Sequence, residues 1–219
     1  MLEVRDAVKT YRRGGETIRA VDGVSLRAEP GDLLVLHGPS GSGKSTLLLM
    51  AGGMLPPDSG HVCYNGEDVY AWSSLRRNAY RKRTVGFVFQ RFFLMPYLSV
   101  YDNIRVPLAL RGERDTGARV RELAGRLRIE HRLGHRPGEL SIGEQQRAAI
   151  ARALAGDKTL LLADEPSGNL DEANIEILAQ TFRDESRRGR IILLATHNPT
   201  LVELGTRDLR LEAGRLAGA

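Results

Sequence analysis

Apolar and polar positions alternate over the first thirty residues, and the turn signals "RRGGE" and "EPGD" interrupt the pattern. Alternation with a period of two predicts short antiparallel strands. The continuous apolar run "LLVLHG" then predicts a buried strand, and "KSTLLLMA", Lys44 to Ala51, predicts a helix that ends at Gly52 and Gly53. The chain therefore changes from an antiparallel pattern to a strand-then-helix pattern within its first fifty residues.

The rest of the chain alternates strands with helices, apart from one helical stretch. "HVCYNG" and "TVGFVF" predict two strands, whereas the region from about Ser99 to Arg128 shows helical periodicity without a strand signal. "TLLLADEP", "EANIEILAQTFRDES" and "RIILLATHN" predict strand, helix and strand. Such an order is typical of a parallel sheet covered on both faces. We expect an α/β core with a mostly parallel sheet, preceded by antiparallel strands and interrupted by a helical lobe.

Length and composition support one domain in a reducing compartment. A chain of 219 residues can form one well-packed core. The start "MLEVRDAVKTYRR" lacks the apolar core of a signal peptide, and no apolar run approaches the ~20 residues that cross a bilayer. Cys63 is the single cysteine, so we expect a small core residue and no internal disulfide. These features favour a cytosolic protein.

The net charge of +5 and the pI of 9.6 permit a nucleic-acid or anionic-membrane surface. The densest basic run is "RRNAYRKR", Arg76 to Arg83. Because charged blocks usually lie at the surface, we interpret it as a solvated helix face. Contact with anionic lipid headgroups beside a membrane partner is the alternative.

A glycine-rich motif lies between the predicted strand "LLVLHG" and the helix that follows. Residues Gly38 to Ser45 read G-x-x-x-x-G-K-S, in the strand-to-helix context that a phosphate-binding loop requires. Gly41 and Gly43 let the backbone wrap around phosphate oxygens, and the helix N-terminus adds its positive end. Lys44 would bridge the β- and γ-phosphates, and the Ser45 hydroxyl would bind Mg²⁺. The motif predicts a nucleoside triphosphate site.

Four more polar residues follow predicted strands and should lie along the same sheet edge. Asp164 and Glu165 end the apolar strand "LLLAD" and its "EP" turn, Gln90 follows "VGFVF", and His197 follows "IILLAT". Asp164 suits Mg²⁺ through water, and Glu165 would polarise the attacking water. Gln90 would ligate Mg²⁺ or orient water, and the His197 imidazole would bond a γ-phosphate oxygen.

Two other histidines, His131 and His135, have helical i,i+4 spacing. They lack a third ligand in the sequence, and the stretch runs into "RPGEL". A metal site there is not expected.

A second candidate anion site lies far downstream of the glycine-rich loop. "ELSIGEQQRAAIARAL", Glu139 to Leu154, reads as a loop that turns into a helix, with Ser141 and Gly143 at its start. The unpaired N–H groups of a helix start attract anions. The phosphate loop does not explain this second site.

The order of these motifs resembles that of ATP-binding-cassette (ABC) ATPases over nearly the whole chain. The matching stretches are Gly38 to Ser45, Gln90, "LSIGE", "LLLADE", "SGNLD" and His197. "VGFVFQRFFLMP", "EQQRAAIARALA" and "DEPSGNLD" further resemble the lipoprotein-releasing and macrolide-exporting class. The resemblance implies a P-loop NTPase core, a single nucleotide-binding domain over residues 1–219 and a helical subdomain at about 91–155.

The resemblance also implies how the site is assembled. ATP and Mg²⁺ would bind between two copies of the chain in a head-to-tail dimer, with the signature helix of one copy capping ATP on the phosphate loop of the other. Tyr11 would stack on adenine, and Asp171 would belong to a loop that crosses to the other subunit. Catalytic roles fall to Lys44, Gln90, Glu165 and His197, and metal contacts to Ser45, Gln90 and Asp164. Nucleotide contacts are expected from Tyr11, Gly38, Pro39, Ser40, Gly41, Ser42, Gly43, Lys44, Ser45, Thr46, Ser141, Gly143, Glu144 and Asp171.

One residue departs from the family pattern. The signature usually reads L-S-G-G-Q or L-S-G-G-E, and Ile142 stands here at the first glycine. If Ser141 and Gly143 make the phosphate contacts, the side chain of residue 142 can point away. If residue 142 needs a positive φ, a β-branched residue would be strained by ~1–3 kcal/mol. We favour the first alternative because Ser141 and Gly143 are retained.

By this resemblance the cassette would energise a separately encoded membrane permease, for export or lipoprotein release, from the cytoplasmic face of the inner membrane. No nucleic-acid partner is expected.

Two alternatives remain open at this point. A soluble cassette that acts on nucleic acid or ribosomes is compatible with the basic pI, although such proteins usually carry two cassettes or long inserted arms. A small-molecule kinase or GTPase would share the phosphate loop, but it leaves the signature unexplained and the chain lacks an obvious N-K-x-D motif.

Overall fold

The N-terminal region forms an antiparallel sheet in a computed structural model, which describes residues 1–168 and 170–217. The sheet order is β2-β1-β4-β5. Its strands are β1 (Leu2–Arg13), β2 (Glu16–Ala28), β4 (Ser59–Tyr64) and β5 (Glu67–Asp68). β1 and β2 contain 12 and 13 residues, so the prediction of short strands was wrong. Register shifts along β1 allow one long hairpin to absorb the interruptions in the apolar pattern.

A second sheet of six strands carries the α/β core. Its strands are β3 (Leu33–His37), β6 (Val85–Val88), β7 (Leu160–Asp164), β8 (Ile191–Ala195), β9 (Arg207–Glu212) and β10 (Arg215–Leu216). The order is β10-β9-β3-β8-β7-β6. All neighbours are parallel except β9 and β10. The predicted mostly parallel sheet is confirmed.

The helices cover this sheet and form the predicted helical lobe. They are α1 (Lys44–Ala51), α2 (Ser74–Arg83), α3 (Val100–Leu110), α4 (Gly117–Arg126), α5 (Ile142–Leu154), α6 (Glu172–Arg187) and α7 (Pro199–Val202). Two single 3-10 turns, Glu130–Arg132 and Pro137–Glu139, precede α5. Residues 91–155, all of them described, contain helices and turns but no strand. No helix in the described ranges has the length and apolarity needed to span a membrane.

Alternate residues of the parallel strands face two separate apolar clusters. Leu34 and Leu36 of β3 belong to one cluster, which includes α1 and the antiparallel sheet. Leu33 and Val35 belong to the other, which continues through α3, α4 and α5. Strands buried on both faces read as continuous apolar runs, as in this sequence. The helical lobe therefore shares a core with one face of the sheet.

The basic run Arg76 to Arg83 lies on α2. Arg76 pairs with Glu67 at 2.6 Å and stacks 4.5 Å above the Trp72 ring. Arg81 donates to the carbonyl of Gly53. These arginines thus hold a surface helix against the antiparallel sheet and the end of α1.

Cys63 is buried, as predicted, with the Arg5 guanidinium 3.0 Å from its Sγ. His131 and His135 do not share a helix despite their i,i+4 spacing, because the 3-10 turn that contains His131 ends at Arg132. His131 instead lies 3.5 Å from Glu144. Within the described part of the chain, no three His, Cys, Asp or Glu side chains come together to hold a metal.

Candidate active site

The phosphate loop connects β3 to α1 and depends on three glycines with positive φ. These are Gly38, Gly41 and Gly43. A Cβ on Gly38 would lie 2.0 Å from the carbonyl oxygen of Leu211, and one on Gly43 would lie 1.9 Å from that of Ala20. Packing against neighbouring backbone therefore excludes side chains at both positions. Gly41 has no atom within 4 Å of its Cβ position, so it borders open space.

The loop lines a concave pocket of about 480 Å³. The pocket is lined by Ala20, Gly38, Pro39, Ser40, Gly41, Ser42, Gly43, Lys44, Ser45, Thr46, Gln90, Glu165 and His197. The sequence predicts all of these residues except Ala20. Ala20 belongs to no sequence motif. It reaches the pocket because β2 pairs with β1 beside the loop, which the sequence alone does not reveal. Gln90 and His197 come to the same pocket because both follow parallel strands whose carboxyl ends share one edge.

Charged groups converge at the base of the loop. Lys44 is buried, and its Nζ donates to the carbonyl oxygens of Gly38 and Pro39 at 2.8 and 3.1 Å. The same Nζ lies 3.8 Å from Glu165 Oε1. Glu165 Oε2 lies 2.9 Å from His197 Nδ1, while the His197 side chain is 76% exposed. One cation and one carboxylate thus meet beside an imidazole that reaches solvent.

Glu165 has an unusual backbone conformation, with φ at 45°. L-residues rarely adopt this left-handed region, and functional sites are enriched in such conformations. Its N–H donates to the Ala195 carbonyl oxygen at 2.8 Å, which links the end of β7 to the end of β8. This turn places the carboxylate between Lys44 and His197.

Ser45 and Asp164 form a second polar pair, which suits a divalent cation. Ser45 Oγ donates to Asp164 Oδ1 at 3.0 Å. Burial raises the pKa of Asp164, whereas the hydrogen bond from Ser45 and the charge of Lys44 oppose that shift. Hydroxyl and carboxylate oxygens are the ligands that Mg²⁺ prefers.

The pocket also fits a polyphosphate. Ser42 Oγ is buried without a hydrogen-bond partner, and Gly41 leaves the cradle open. The backbone N–H groups at the start of α1 and the Lys44 ammonium supply positive charge. The described residues therefore fit both a nucleotide triphosphate group and Mg²⁺.

The remaining predicted residues do not line this pocket. Tyr11 lies on β1 opposite Ile18 and is 42% exposed. Ser141, Gly143 and Glu144 form the start of α5, and Asp171 caps the start of α6. Asn169, in the stretch "SGNLD", lies outside the described residues. Within one chain, the start of the signature helix therefore does not line the phosphate-loop pocket.

The start of α5 is held by reciprocal hydrogen bonds. Ser141 Oγ accepts from the Glu144 N–H at 3.3 Å, and Glu144 Oε2 accepts from the Ser141 N–H at 2.8 Å. Arg132 Nε donates to Glu144 Oε1 at 2.7 Å. That bond from Arg132 lowers the pKa of Glu144 to about 2. The role of Arg132 has no sequence signal, because it acts across a turn of irregular backbone.

Ile142 is the first residue of α5, and its side chain is 49% exposed. It is not among the described residues with positive φ. The backbone strain considered for a residue with positive φ therefore does not arise at Ile142 in this structure.

The family comparison decides the identity of this fold and site. Residues 21–168 match the sequence model of the family described as ABC transporter. The chain belongs to the ABC transporter family. ABC cassettes bind ATP with Mg²⁺ and hydrolyse it, so this chain is an ATPase.

Curated relatives agree with the finer resemblance. The cassette is 42% identical over 219 residues to the lipoprotein-releasing system ATP-binding protein LolD of Geobacter metallireducens, covering 99% of this chain and 97% of that protein. It is 41% identical to the macrolide export ATP-binding/permease protein MacB of Syntrophobacter fumaroxidans, covering 98% of this chain but 31% of that longer protein. The cassette is thus an ABC ATPase of the LolD and MacB type.

A solved structure supports the fold. The dimeric post-hydrolysis state of the ATP-binding cassette MJ0796, bound to ADP and Pi, matches with a TM-score of 0.93 and 31% identity. The match covers 99% of this chain and 97% of that chain. The P-loop core with an antiparallel N-terminal sheet and added helices is therefore that of an ABC cassette.

Proposed function

We propose that this cassette works as a head-to-tail dimer in which α5 of one copy caps ATP held by the phosphate loop of the other. The observation that carries the proposal is that the two candidate anion-binding elements of one chain do not line the same pocket. Gly38 to Thr46 line the pocket, whereas Ser141 and Gly143 lie outside its lining. A second copy brings the two elements together. The dimeric state of MJ0796 is consistent with this arrangement.

Within each composite site, residues of the phosphate-loop copy carry out the chemistry. Lys44 would neutralise phosphate oxygens, and Ser45, Asp164 and Gln90 would hold Mg²⁺, which supplies positive charge at the phosphates. Glu165 would accept a proton from the attacking water. His197, 2.9 Å from Glu165, would hold that carboxylate and bond a phosphate oxygen. Glu144 supports the opposite wall by fixing the start of α5.

The outer parts of the site would recognise the adenine and the second copy. Tyr11 is half-exposed on β1, whose hairpin partner β2 contributes Ala20 to the pocket. Its ring would stack on adenine. Asp171 caps α6 at an exposed position, where it would face the other copy.

We further propose that the dimer drives a membrane permease in lipoprotein release or export, from the cytoplasmic face of the inner membrane. The lipoprotein-releasing role of LolD and the macrolide-exporting role of MacB support this proposal. Exposed apolar side chains also follow Gln90, namely Phe93, Met95 and Tyr97. An exposed apolar patch is typical of a protein interface. It would pass the closure of the dimer to the permease.

A mixed dimer tests the composite site. Lys44→Ala should disable the phosphate loop, and Ser141→Arg should block the signature helix, so each homodimer should lack ATP hydrolysis. In the mixed dimer both defects fall in one site, and the other site is intact. Mixing the two variants should therefore restore hydrolysis. Because paired sites can depend on each other, ATP retention by differently tagged chains that also carry Glu165→Gln is the second measurement.

Ser73→Arg is the matched control, because Ser73 caps α2 as Ser141 caps α5. A mixture of Ser73→Arg with Lys44→Ala should therefore hydrolyse ATP at the same rate as a mixture of the parent chain with Lys44→Ala. If the phosphate loop and the signature helix of the same chain served one ATP, every chain in the mixture of Lys44→Ala with Ser141→Arg would be defective. Absence of both renewed hydrolysis and a mixed ATP-retaining dimer would therefore contradict the proposal.

A further inference from the structure

The start of the signature helix is in contact with the first turn of α6. A Cβ on Gly143 would lie 2.8 Å from Asn174 Nδ2, 3.0 Å from its Cγ and 3.1 Å from its Oδ1. A flexible side chain would normally move away from such a contact. Whether Asn174 can move depends on what holds its amide.

Asn174 is held from two sides. Its Nδ2 donates to Asp171 Oδ1 at 2.6 Å, and its backbone N–H donates to the same oxygen at 2.9 Å. Its Oδ1 accepts from Arg147 Nη1 on α5. An arginine can only donate and a carboxylate can only accept, so these partners fix the orientation of the amide. A Cβ on Gly143 therefore displaces the Asn174 amide only at the expense of its bonds to Arg147 and Asp171.

The contacts join two segments that the proposed dimer needs. Gly143 and Arg147 belong to the signature helix α5, and Asp171 is the cap of α6. Arg147 Nε is buried without a hydrogen-bond partner, so the bond through Nη1 orients this guanidinium. Burial also lowers the pKa of Arg147, which shows that its charge lies in a poorly solvated place. Asn174 bonds both side chains and thereby links the Arg147 guanidinium to the Asp171 carboxylate.

We propose that Asn174 is a positioning residue, which sets the signature helix and the Asp171 cap in one fixed relation. The inference rests on the proposed dimer, in which both segments face the second copy. The absence of a side chain at Gly143 then has an intramolecular reason, because it lets α5 approach the pinned amide. A shift of either segment is passed to the other through the Arg147, Asn174 and Asp171 contacts.

The substitution Asn174→Asp separates this role from simple packing. Asn174→Asp keeps the shape and the acceptor for Arg147 but replaces the donor to Asp171 with a like charge. The favourable place of a carboxylate in the first turn of the helix and its pairing with Arg147 offset the repulsion from Asp171, so thermal stability should change little. The kcat for ATP hydrolysis should fall by ~10- to 100-fold, the scale of a 1 Å misplacement. The ATP Kd of the single cassette should stay within about twofold, because the phosphate loop is untouched.

A double-mutant cycle tests the contact itself. Gly143→Ala should abolish the ATP-dependent dimer, measured by size exclusion in the Glu165→Gln background. Asn174→Ala should weaken the dimer less. Adding Gly143→Ala to Asn174→Ala should reduce the amount of dimer by less than a further twofold, because the obstructing amide is gone. Such non-additivity is the signature of direct contact. Glu172→Ala, an exposed change in the same turn, should match the parent.

The outcomes distinguish this inference from the proposed function. A Glu165→Gln parent that forms no ATP-dependent dimer contradicts both. If that parent dimerises while Asn174→Asp equals it in dimerisation and kcat, only the inference is overturned. The inference is also overturned if Gly143→Ala is as damaging in the Asn174→Ala chain as in the parent.

Discussion

At the scale of single residues, the site depends on side chains placed by strand ends and held by a strained turn. Glu165 has a left-handed φ of 45°, which costs a residue other than glycine ~1–3 kcal/mol. The 2.8 Å bond to Ala195 holds the backbone in this conformation. The carboxylate is thereby fixed next to Lys44 and His197 before any substrate binds.

Glu165→Gln should leave ATP binding intact and slow hydrolysis by ~10²–10⁴-fold, the usual loss when a positioned base is removed. The amide keeps the shape of the carboxylate but cannot take the proton. Phosphate release and equilibrium ATP binding are the two measurements. Hydrolysis at the parent rate would show that Glu165 is not the base.

Tyr11→Ala should weaken ATP binding by ~1–3 kcal/mol, which is the scale of aromatic stacking on a base, and should leave kcat unchanged at saturating ATP. Tyr11→Phe keeps the ring and should be nearly silent. Titration with ATP gives both affinities. Equal losses in the two variants would assign the effect to the hydroxyl and contradict stacking.

Sequence reasoning predicted the pocket residues because their positions follow from strand ends and motif spacing. Lys44, Ser45 and Glu165 each sit at a junction that the apolar pattern marks. Asn174 and Arg132 could not be predicted in this way. Arg147 bonds Asn174 across 27 residues, and Arg132 bonds Glu144 across 12, so no local period relates the partners.

At the scale of elements, an ionised carboxylate holds the start of α5, so the stability that it contributes depends on pH. Arg132 and the Ser141 backbone both bond Glu144, and they hold its pKa at about 2, below the ordinary value of 4.5. A carboxyl whose pKa is lower in the folded state contributes stability above its unfolded pKa. That contribution is lost as the pH falls through the folded pKa.

Glu144→Gln should therefore lower the free energy of unfolding by an amount that is constant above about pH 5. The difference from the parent should shrink steadily as the pH falls from 4.5 toward 2. Glutamine preserves the reciprocal cap, so the change isolates the charge. Urea unfolding at several pH values measures the difference. A difference that does not vary over this range would contradict the assigned charge.

The boundaries of the elements followed from sequence where capping signals were strong. The helix predicted from Lys44 to Ala51 has these bounds in the structure, since two glycines follow it. The lengths of β1 and β2 were underestimated, because register shifts let a strand continue where the alternation breaks. Such irregularities depend on the partner strand and leave no signal in either strand alone.

At the scale of the whole molecule, a charge cluster around one buried carboxylate joins the helical lobe to the core. Glu185 of α6 is fully buried and contacts three arginines. Arg190 Nε lies 2.6 Å from Glu185 Oε2, Arg188 Nη1 lies 3.2 Å from Oε1, and Arg126 of α4 bonds the same Oε1. One carboxylate thus connects α4, the end of α6 and the turn into β8.

Glu185→Ala should lower the free energy of unfolding by ~3–5 kcal/mol, because it leaves the buried Arg190 guanidinium without its counter-charge. Glu176→Ala is the matched control on α6. Glu176 forms an exposed pair with Arg183, so its loss should cost less than about 1 kcal/mol. Urea unfolding of both variants gives the comparison. Equal effects would show that the cluster does not join the lobe to the core.

The central place of β3 in the sheet also affects the order in which the chain folds during its synthesis. β3 lies between β8 and β9, and Leu33 donates its N–H to Thr206, 173 residues later. At ~5–20 residues per second, roughly 10–35 s pass on the ribosome before both edges of β3 have partners. Unpaired strand edges invite association with other chains. Because Gly38 of the phosphate loop packs against the Leu211 carbonyl of β9, we expect the nascent chain to acquire nucleotide binding only after β9 has emerged.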